Sequence, residues 1–440
     1  TWATPSAIPY GTALSATQLN ATASVAGSFT YTPASGTALT AGSQTLSVGF
    51  TPTDAANYHA VAATTVSLTV DRANQTISFG TLANKAFGAA PFAVAATASS
   101  SLTPTYSIVS GPATLSGSTV TLTGSGTVIV RASQAGNGNY TAATPVDQSF
   151  TVAKAMLTVT ADAKSRVYGA ANPALTATIT GYVNSETSAV LSGAAAVTTT
   201  ATTTSTVGDY AITAAAGTLS ATNYDFSFTA GTLTVSKAAL TVTAEAKSRT
   251  YGDANPTLTA TISGYVNSES SSVVSGTPVL STAATATSSV GGYAITAALG
   301  TLSATNYSFS FTSATLTVGK APLTVTADAK TKLYGAANPA LTATITGFKN
   351  SETTAVLTGT AALSTAATTA SGVASYAITA ALGTLASGNY SFGFVDGTLA
   401  VTKAPLTVTA DAKSRVYGVA EPTFTATLTG FVNGESLATS

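Results

Sequence analysis

The sequence predicts an all-β protein arranged as a linear tandem array of β-sandwich modules, and three observations lead to this fold class. Apolar and hydroxyl-bearing residues alternate in short runs such as Leu157-Thr-Val-Thr-Ala161, and a period of two is typical of a strand with one buried face. Glycine, proline and asparagine separate these runs and favour turns. A long block of residues recurs every 83 positions, which indicates a protein built from repeats.

The 83-residue period divides the later part of the chain into modules. The period is marked by a lysine at each module start and by recurring Tyr-Gly and Asn-Tyr steps; the lysines are Lys154, Lys237, Lys320 and Lys403. Three full units follow one another without insertion or deletion, and a fourth stops at Ser440, less than halfway. We therefore expect position 440 not to be a natural domain boundary.

The first 153 residues contain two related units. Tyr10-Gly11 and Phe87-Gly88 occupy the place of the Tyr-Gly step, and Asn57-Tyr58 and Asn139-Tyr140 match the later Asn-Tyr steps. Each unit ends in an alternating strand that leads directly into the next unit. The predicted domains are residues 1–71 (with a truncated start), 72–153, 154–236, 237–319, 320–402 and a partial module 403–440.

The elements of one unit can be predicted in order from residues 154–236. Alternation over Leu157–Val167 predicts an opening strand with the odd-numbered residues buried. A break in the period predicts one helical turn that begins with Asn184 as N-cap. The remaining predictions are a turn at 168–173, strands at 175–179, from 210, at 224–228 and at 233–235, and a glycine ending the helical turn at Gly193.

About seven short strands in ~83 residues predict a sandwich of the immunoglobulin type. Tyr224 would form a tyrosine corner in such a fold. About three residues connect one closing strand to the next opening strand, and short connections favour a semi-rigid, elongated rod. At ~3.3 Å per strand residue, five modules would span on the order of 200 Å.

The composition excludes several classes of function. The 440 residues carry 16 basic and 16 acidic side chains, 7% of the chain, with no cysteine and one histidine, whereas ~25% charge is usual. Cysteine-based metal or redox chemistry is therefore impossible. Without a basic cluster we expect no nucleic-acid partner. Without ~20 consecutive apolar residues we expect no membrane insertion. We predict no enzyme activity, catalytic residue, cofactor or metal site.

Three recurring sets of charged residues are candidates for chemistry. Asp162, Lys164 and Arg166 alternate along the opening strand, where they either make ionic contacts to a neighbouring chain or polysaccharide or form a solvated face. The set recurs as Glu245, Lys247 and Arg249 and as Asp328, Lys330 and Lys332. Glu186 recurs as Glu269, Glu352 and Glu435; a calcium site there is disfavoured because too few other acidic residues repeat with it. An isopeptide bond from Lys154 to Asn223, with Glu186 as the acid, is a further hypothesis, against a solvated lysine that discourages edge pairing.

The one histidine and the one tryptophan of the chain are also informative. His59 has no neighbouring catalytic or metal-binding residue in the sequence, and we expect an exposed histidine in a loop or at a strand start. Trp2 falls in the predicted truncated first strand and is expected to pack in the core.

Residues 154–440 resemble the MBG domain family with a Tyr-Gly signature. The resemblance rests on the frame Leu-Thr-Val-Thr-Ala-Asp-Ala-Lys, Tyr-Gly-x-x-Asn-Pro, Gly-Tyr/Phe-x-Asn-x-Glu and Asn-Tyr-x-Phe-x-Phe. Residues 1–153 are similar to bacterial immunoglobulin-like repeats, on stretches such as Tyr10–Asn20. The resemblance implies tandem arrays in very large secreted or surface proteins of bacteria, often adhesin-like, and provides no catalytic residues.

Three functions are compatible with these features. The first is a non-catalytic stalk or spacer of a large bacterial cell-surface or secreted adhesin-like protein. The second is a subunit of an extracellular filament or sheath, since low charge opposes lateral packing only weakly. The third is an adhesive module that binds glycan or protein. Partners would be neighbouring copies of the same repeat protein or other surface proteins, and the expected location is extracellular, at the bacterial surface.

Overall fold

A computed structural model describes residues 1–438, and their regular structure is β-strands and short 3₁₀ turns. This confirms the predicted all-β class with tandem sheets. The chain separates into two compact units: residues 1–166, 171–202 and 208–234 form the first, and residues 167–170, 203–207 and those from 235 on form the second. No helix among the described residues is long and apolar enough to cross a bilayer.

The first unit begins with residues 1–153. Residues 1–71 form one sheet, in the order β1-β4-β3-β2, and residues 72–153 form sheets in the orders β10-β11-β7, β6-β13-β12-β9 and β5-β8. The strands are β1 (Ile8–Pro9), β2 (Gly27–Thr32), β3 (Gly42–Pro52), β4 (Val61–Asp71), β5 (Ile77–Phe79), β6 (Lys85–Ala86), β7 (Phe92–Ala93), β8 (Ala96–Ala98), β9 (Thr105–Ser110), β10 (Ala113–Ser116), β11 (Thr119–Leu122), β12 (Gly126–Ser133) and β13 (Val146–Ala153).

Residues 154–236 contain seven strands, as many as predicted. They are β14 (Ala155–Ala161), β15 (Lys164–Val167), β16 (Ala177–Thr180), β17 (Ala196–Thr199), β18 (Gly208–Ala215), β19 (Tyr224–Thr229) and β20 (Gly231–Ser236). Strand β14 pairs with β16 in antiparallel and with β19 in parallel orientation. A 3₁₀ turn occupies Ser188–Val190.

The same seven-strand pattern recurs in the second unit. The strands of residues 237–319 are β21 (Ala238–Ala244), β22 (Lys247–Thr250), β23 (Ala260–Ser263), β24 (Val279–Thr282), β25 (Gly291–Ala298), β26 (Tyr307–Thr312) and β27 (Ala314–Gly319), with a 3₁₀ turn at Ser271–Val273. Those of residues 320–402 are β28 (Ala321–Ala327), β29 (Lys330–Leu333), β30 (Ala343–Thr346), β31 (Ala362–Thr365), β32 (Ser375–Ala381), β33 (Tyr390–Val395) and β34 (Gly397–Thr402), with a 3₁₀ turn at Thr354–Val356. The next pair is β35 (Thr407–Ala410) and β36 (Ala426–Thr429).

Two sheets enclose the core of residues 237–319. One has the order β23-β21-β26 and the other the order β22-β27-β25-β24. Alternation buries Leu240 and Val242 on the first sheet and Ile295 and Leu316 on the second, each below 1% exposure. Burying such side chains contributes ~1.5–3 kcal/mol each. The sandwich is therefore held by aliphatic and aromatic residues without a disulfide.

The opening strand is not continuous, so its prediction as a single element is wrong. Strand β14 ends at Ala161 and β15 begins at Lys164. In residues 237–319 the equivalent strands β21 and β22 belong to different sheets. The carboxylate of Asp162 lies at this break and accepts hydrogen bonds from Thr176 Oγ1 (2.5 Å) and Thr178 Oγ1 (2.7 Å). These bonds lower the pKa of Asp162 and hold the corner.

The sheet change also reverses which residues of the strand are buried. Leu157 and Val159 are buried, as predicted, but after the break Val167 is exposed and Arg166 is buried. The guanidinium donates to Asn172 Oδ1 (2.7 Å) and to the carbonyl of Thr202. Neither interpretation of Arg166, as an ionic contact or as part of a solvated face, is therefore correct.

Candidate functional site at the module junctions

A single residue connects residues 237–319 to residues 320–402. Strand β27 ends at Gly319 and β28 begins at Ala321, so Lys320 alone joins the two sandwiches; about three residues were predicted. The Ala321 N–H donates to the carbonyl of Asn389 (3.0 Å). Lys320 Nζ donates to the carbonyl of Ser387 (2.9 Å). So short a connection brings the end of residues 237–319 directly against the start of residues 320–402.

Aromatic rings fill this junction. Tyr251, from the Tyr-Gly step of the preceding module, packs edge-on against Tyr390 of the following one, with 5.5 Å between ring centroids and an angle of 85°. Phe348 packs on the same ring at 5.7 Å. Tyr251 is 3% exposed and Tyr390 is 1% exposed. These rings belong to one buried cluster with Val318 and Leu323, so the core continues through the junction.

A glutamate joins the two tyrosines. The hydroxyl of Tyr251 donates to Glu352 Oε1 (2.8 Å), and that of Tyr390 donates to Glu352 Oε2 (2.5 Å). Burial, together with the hydrogen bond to the carboxylate, raises the pKa of Tyr390 to about 12. The hydrogen bond to Glu352, with burial, raises the pKa of Tyr251 above its usual value. Both phenols therefore remain protonated donors at neutral pH, and hydrogen bonds to a charged acceptor are strong.

A tight turn positions this glutamate. Asn350 and Ser351 have φ values of 51° and 58°, and the Glu352 N–H donates to the Lys349 carbonyl (2.9 Å). Positive φ at both central residues is what a type I′ turn requires. The predicted helical turn is present as the short 3₁₀ turn at Ser188–Val190, but its predicted limits are wrong. Asn184 lies in the equivalent tight turn, Thr187 is the N-cap, and Leu191 rather than Gly193 ends the 3₁₀ turn.

An asparagine side chain fastens the other side of the junction. Asn389 Oδ1 accepts a hydrogen bond from the backbone N–H of Val290, in the preceding module, at 3.1 Å. The asparagine of the Asn-Tyr step makes the same contact at three other junctions; the pairs are Ala41–Asn139, Ser125–Asn223 and Val207–Asn306, at 3.0–3.1 Å. A satisfied backbone N–H at an interface contributes ~0.5–1.5 kcal/mol.

The glycine of the Tyr-Gly step is required by close approach. Gly252 has a φ of 81°, and a Cβ on it would lie 2.3 Å from Lys349 Cβ. The same contact recurs in the pairs Gly88–Val183, Gly169–Val266 and Gly335–Val432. Gly11 differs, because nothing lies within 4 Å of the position of its Cβ.

We call the arrangement of two tyrosines that bind one glutamate, here Tyr251, Tyr390 and Glu352, the tyrosine–glutamate clamp. The clamp recurs at other junctions with variations. Tyr168 donates to Oε1 of Glu269 (2.7 Å), and Tyr307 donates to Oε2 of the same glutamate. Tyr334 donates to Oε1 of Glu435 (2.5 Å). In the first unit, Phe87 takes the place of the preceding tyrosine, 5.7 Å from Tyr224. Glu186 therefore binds Tyr224 alone in that clamp.

The residues of the clamp coincide with a known family signature. The model of the MBG domain (YGX type) matches residues 157–234, 240–317, 323–400 and 406–440, more than half of the chain. The chain belongs to the MBG domain family of the YGX type. The Tyr-Gly step that distinguishes this type is the step that packs into the next module. Membership indicates a repeat-type extracellular or surface protein.

Solved structures with tandem domains are similar to the chain at low identity. Drosophila N-cadherin EC1-4 is 12% identical, over 63% of this chain and 84% of that one, with a TM-score of 0.17. The human Desmocollin-1 ectodomain is 8% identical over 92% and 98%, with a TM-score of 0.22. Domains 4–9 of surface layer protein SbsC are 17% identical over 70% and 60%, with a TM-score of 0.16. A comparison with curated proteins finds no match.

The three residues of the isopeptide hypothesis, Lys154, Asn223 and Glu186, form hydrogen bonds with other partners. Lys154 Nζ donates to the Ala221 carbonyl (3.3 Å). The Asn223 side chain accepts from Ser125, and Glu186 binds Tyr224. Glu352 uses both of its oxygens for tyrosine hydroxyls, an arrangement suited to a clamp rather than to an ion.

The predictions for three further residues have separate outcomes. The Tyr224 hydroxyl accepts from the Val183 N–H, 41 residues upstream. A tyrosine corner requires a bond to the backbone only a few residues upstream, so the prediction of one at Tyr224 is wrong. His59 is exposed in a loop, as predicted. Trp2 packs against the core of residues 1–71 and donates to the Gln18 carbonyl (3.0 Å), but it lies in no strand.

One hydroxyl near an MBG clamp has no partner within the described part of the chain. Tyr265 packs against Tyr307, and its buried oxygen makes no hydrogen bond. The equivalent residue of the next repeat is Phe348. Because an unsatisfied buried hydroxyl costs ~1–3 kcal/mol, Tyr265→Phe should stabilise residues 237–319 by about 1 kcal/mol, as measured by hydrogen exchange of that module in the full chain. The reciprocal change Phe348→Tyr should destabilise; a loss of stability in Y265F would contradict the assignment.

Proposed function

We propose that the chain is a non-catalytic stalk or spacer of a large bacterial cell-surface or secreted adhesin-like protein. The junction carries this proposal: one connecting residue, a buried aromatic pair and a glutamate that binds both tyrosines. Each of these contacts restricts the angle between two modules. A spacer needs this property, because it must keep its ends apart while its length grows by duplication of modules.

The low charge agrees with an extracellular, surface-exposed role in which hydroxyl groups provide most of the polar surface. Thr198 and Thr213, for example, pair through their hydroxyls on the exposed face of a hairpin (3.0 Å). The partners of the chain would be neighbouring copies of the same protein or other surface proteins. An adhesive module would need a cluster of aromatic side chains exposed at loop tips, whereas the aromatic cluster of the junction, with Tyr251 and Tyr390, is buried.

Small-angle scattering and negative-stain microscopy of the full chain test the proposal. A spacer should give single particles with a largest dimension on the order of 200 Å. A compact globule would refute the proposal, and ordered fibres would favour a filament or sheath subunit instead.

A matched pair of variants connects that dimension to the junction. Asn389→Ala removes the bond to Val290 and should shorten and broaden the distribution of end-to-end distances. Asn57→Ala changes the equivalent step, where the side chain binds Asp54 in its own loop (2.8 Å), and should leave the distribution unchanged. If the two variants changed the distribution equally, the junction contact would not be what keeps the ends of the chain apart.

A further inference from the structure

An ion pair crosses one junction. Lys349 Nζ, in the turn that positions Glu352, lies 3.0 Å from Asp253 Oδ1, in the residue after the Tyr-Gly step of the preceding module. The two side chains are 40% and 46% exposed. In a chain with only 32 charges among 440 residues, opposite charges at this place are unusual.

The two charges occur together at this junction and are both replaced at the equivalent positions of the other MBG repeats. The residues equivalent to Asp253 are small or apolar: Ala170, Ala336 and Val419. Those equivalent to Lys349 are valines: Val183, Val266 and Val432. The acidic residue is in one repeat and the basic residue is in the next, so each repeat by itself carries only half of the pair.

Contacts of its backbone and of its aliphatic stem hold Lys349 in place. The Lys349 N–H donates to the Tyr390 hydroxyl (2.9 Å), and the Lys349 carbonyl accepts from Glu352. The aliphatic stem of Lys349 begins against Gly252, directly before Asp253 in the chain. The position of the ammonium group is thus set by the same contacts that form the clamp.

We propose that Asp253 and Lys349 make this interface selective, so that the Tyr-Gly end of residues 237–319 prefers a following module with lysine at the position of Lys349 over one with valine there. Modules of one chain, and of neighbouring copies, share the tyrosine–glutamate clamp and could otherwise exchange partners. A mismatched junction places Asp253 against a valine, or Lys349 against an alanine, and loses the attraction. Selectivity is the difference between matched and mismatched contacts, and an exposed pair corresponds to a factor of about two to five.

A double-mutant cycle in the full chain tests this inference. The variants are Asp253→Ala, Lys349→Val and the double variant, and the readout is hydrogen exchange of the Val290 N–H, whose acceptor is Asn389 across the same junction. Each single variant should lower protection about two- to fivefold. The double variant, which restores the Ala/Val combination of the other repeats, should be clearly better protected than the product of the two single effects predicts.

The Val207 N–H binds Asn306 at the junction where Ala170 and Val266 stand at the positions of Asp253 and Lys349; it is the internal control and should not change. The charge swap Asp253→Lys with Lys349→Asp should recover protection, and 1 M salt should remove the coupling because it screens exposed charges. Strictly additive effects, or equal changes at Val207, would overturn the inference. This result is independent of the spacer role, since coupling concerns which modules pair and scattering concerns the length of the particle.

Discussion

Replacing Tyr390 by alanine is expected to cost about 3–5 kcal/mol, the effect of removing a fully buried aromatic ring. The ring is 1% exposed and lies between Tyr251 and Phe348, in the core that continues through the junction. Its hydroxyl also binds Glu352 and accepts the Lys349 N–H. Hydrogen exchange of residues 237–402 in the full chain measures the loss locally, because an array of modules does not unfold as a two-state system.

Two variants separate the contributions to this effect. Tyr390→Phe keeps the ring and should cost only about 1–3 kcal/mol, for the partners left without the hydroxyl. Tyr58→Ala changes the equivalent Asn-Tyr step of residues 1–71, where the tyrosine is 49% exposed, and should stay within about 0.5 kcal/mol. If Tyr390→Ala cost no more than Tyr58→Ala, the aromatic junction would not be a source of stability.

The strands that the sequence predicted are those whose residues report burial directly. Val66–Val70 and Leu233–Val235 alternate between apolar and hydroxyl residues, and both lie within strands, β4 and β20. Strand β17 was missed because Ala196–Thr199 contains only one branched apolar residue, Val197, which is too little for a period to be recognised. Alternation also could not show the sheet change after Ala161, because the burial of Arg166 depends on which sheet lies opposite.

The junction could be predicted only in part. The 83-residue period identified the Tyr-Gly step, the Asn-Tyr step and the glutamate as recurring residues, and these form the clamp. Their meeting could not be predicted, because Tyr251 and Glu352 are 101 residues apart and belong to different modules. A usable signal was the recurrence of Asn-Ser-Glu in a chain poor in charge, since asparagine tolerates positive φ and favours a turn over a helix start.

The second large expected effect is a loss of stability when the glycine of the Tyr-Gly step is replaced, because this glycine has a positive φ and lies close to the next module. Gly252→Ala should cost about 1–2 kcal/mol for a side chain at a φ of 81°. A further ~1–3 kcal/mol should come from overpacking against Lys349 Cβ, which would lie 2.3 Å away. Protection of the Val290 N–H against exchange should fall accordingly, because its acceptor is on the other side of the displaced junction.

Gly11→Ala provides the matched control for this change. Gly11 has a φ of 90° and open space around the position of its Cβ, so the substitution adds strain without a clash, and only about 1–2 kcal/mol should be lost. Adding Lys349→Gly to Gly252→Ala removes the opposing Cβ and should recover the packing part of the loss while the strain remains. Equal costs for Gly252→Ala and Gly11→Ala would show that the glycine is required for its backbone conformation alone, and that close approach of the next module plays no part in the signature.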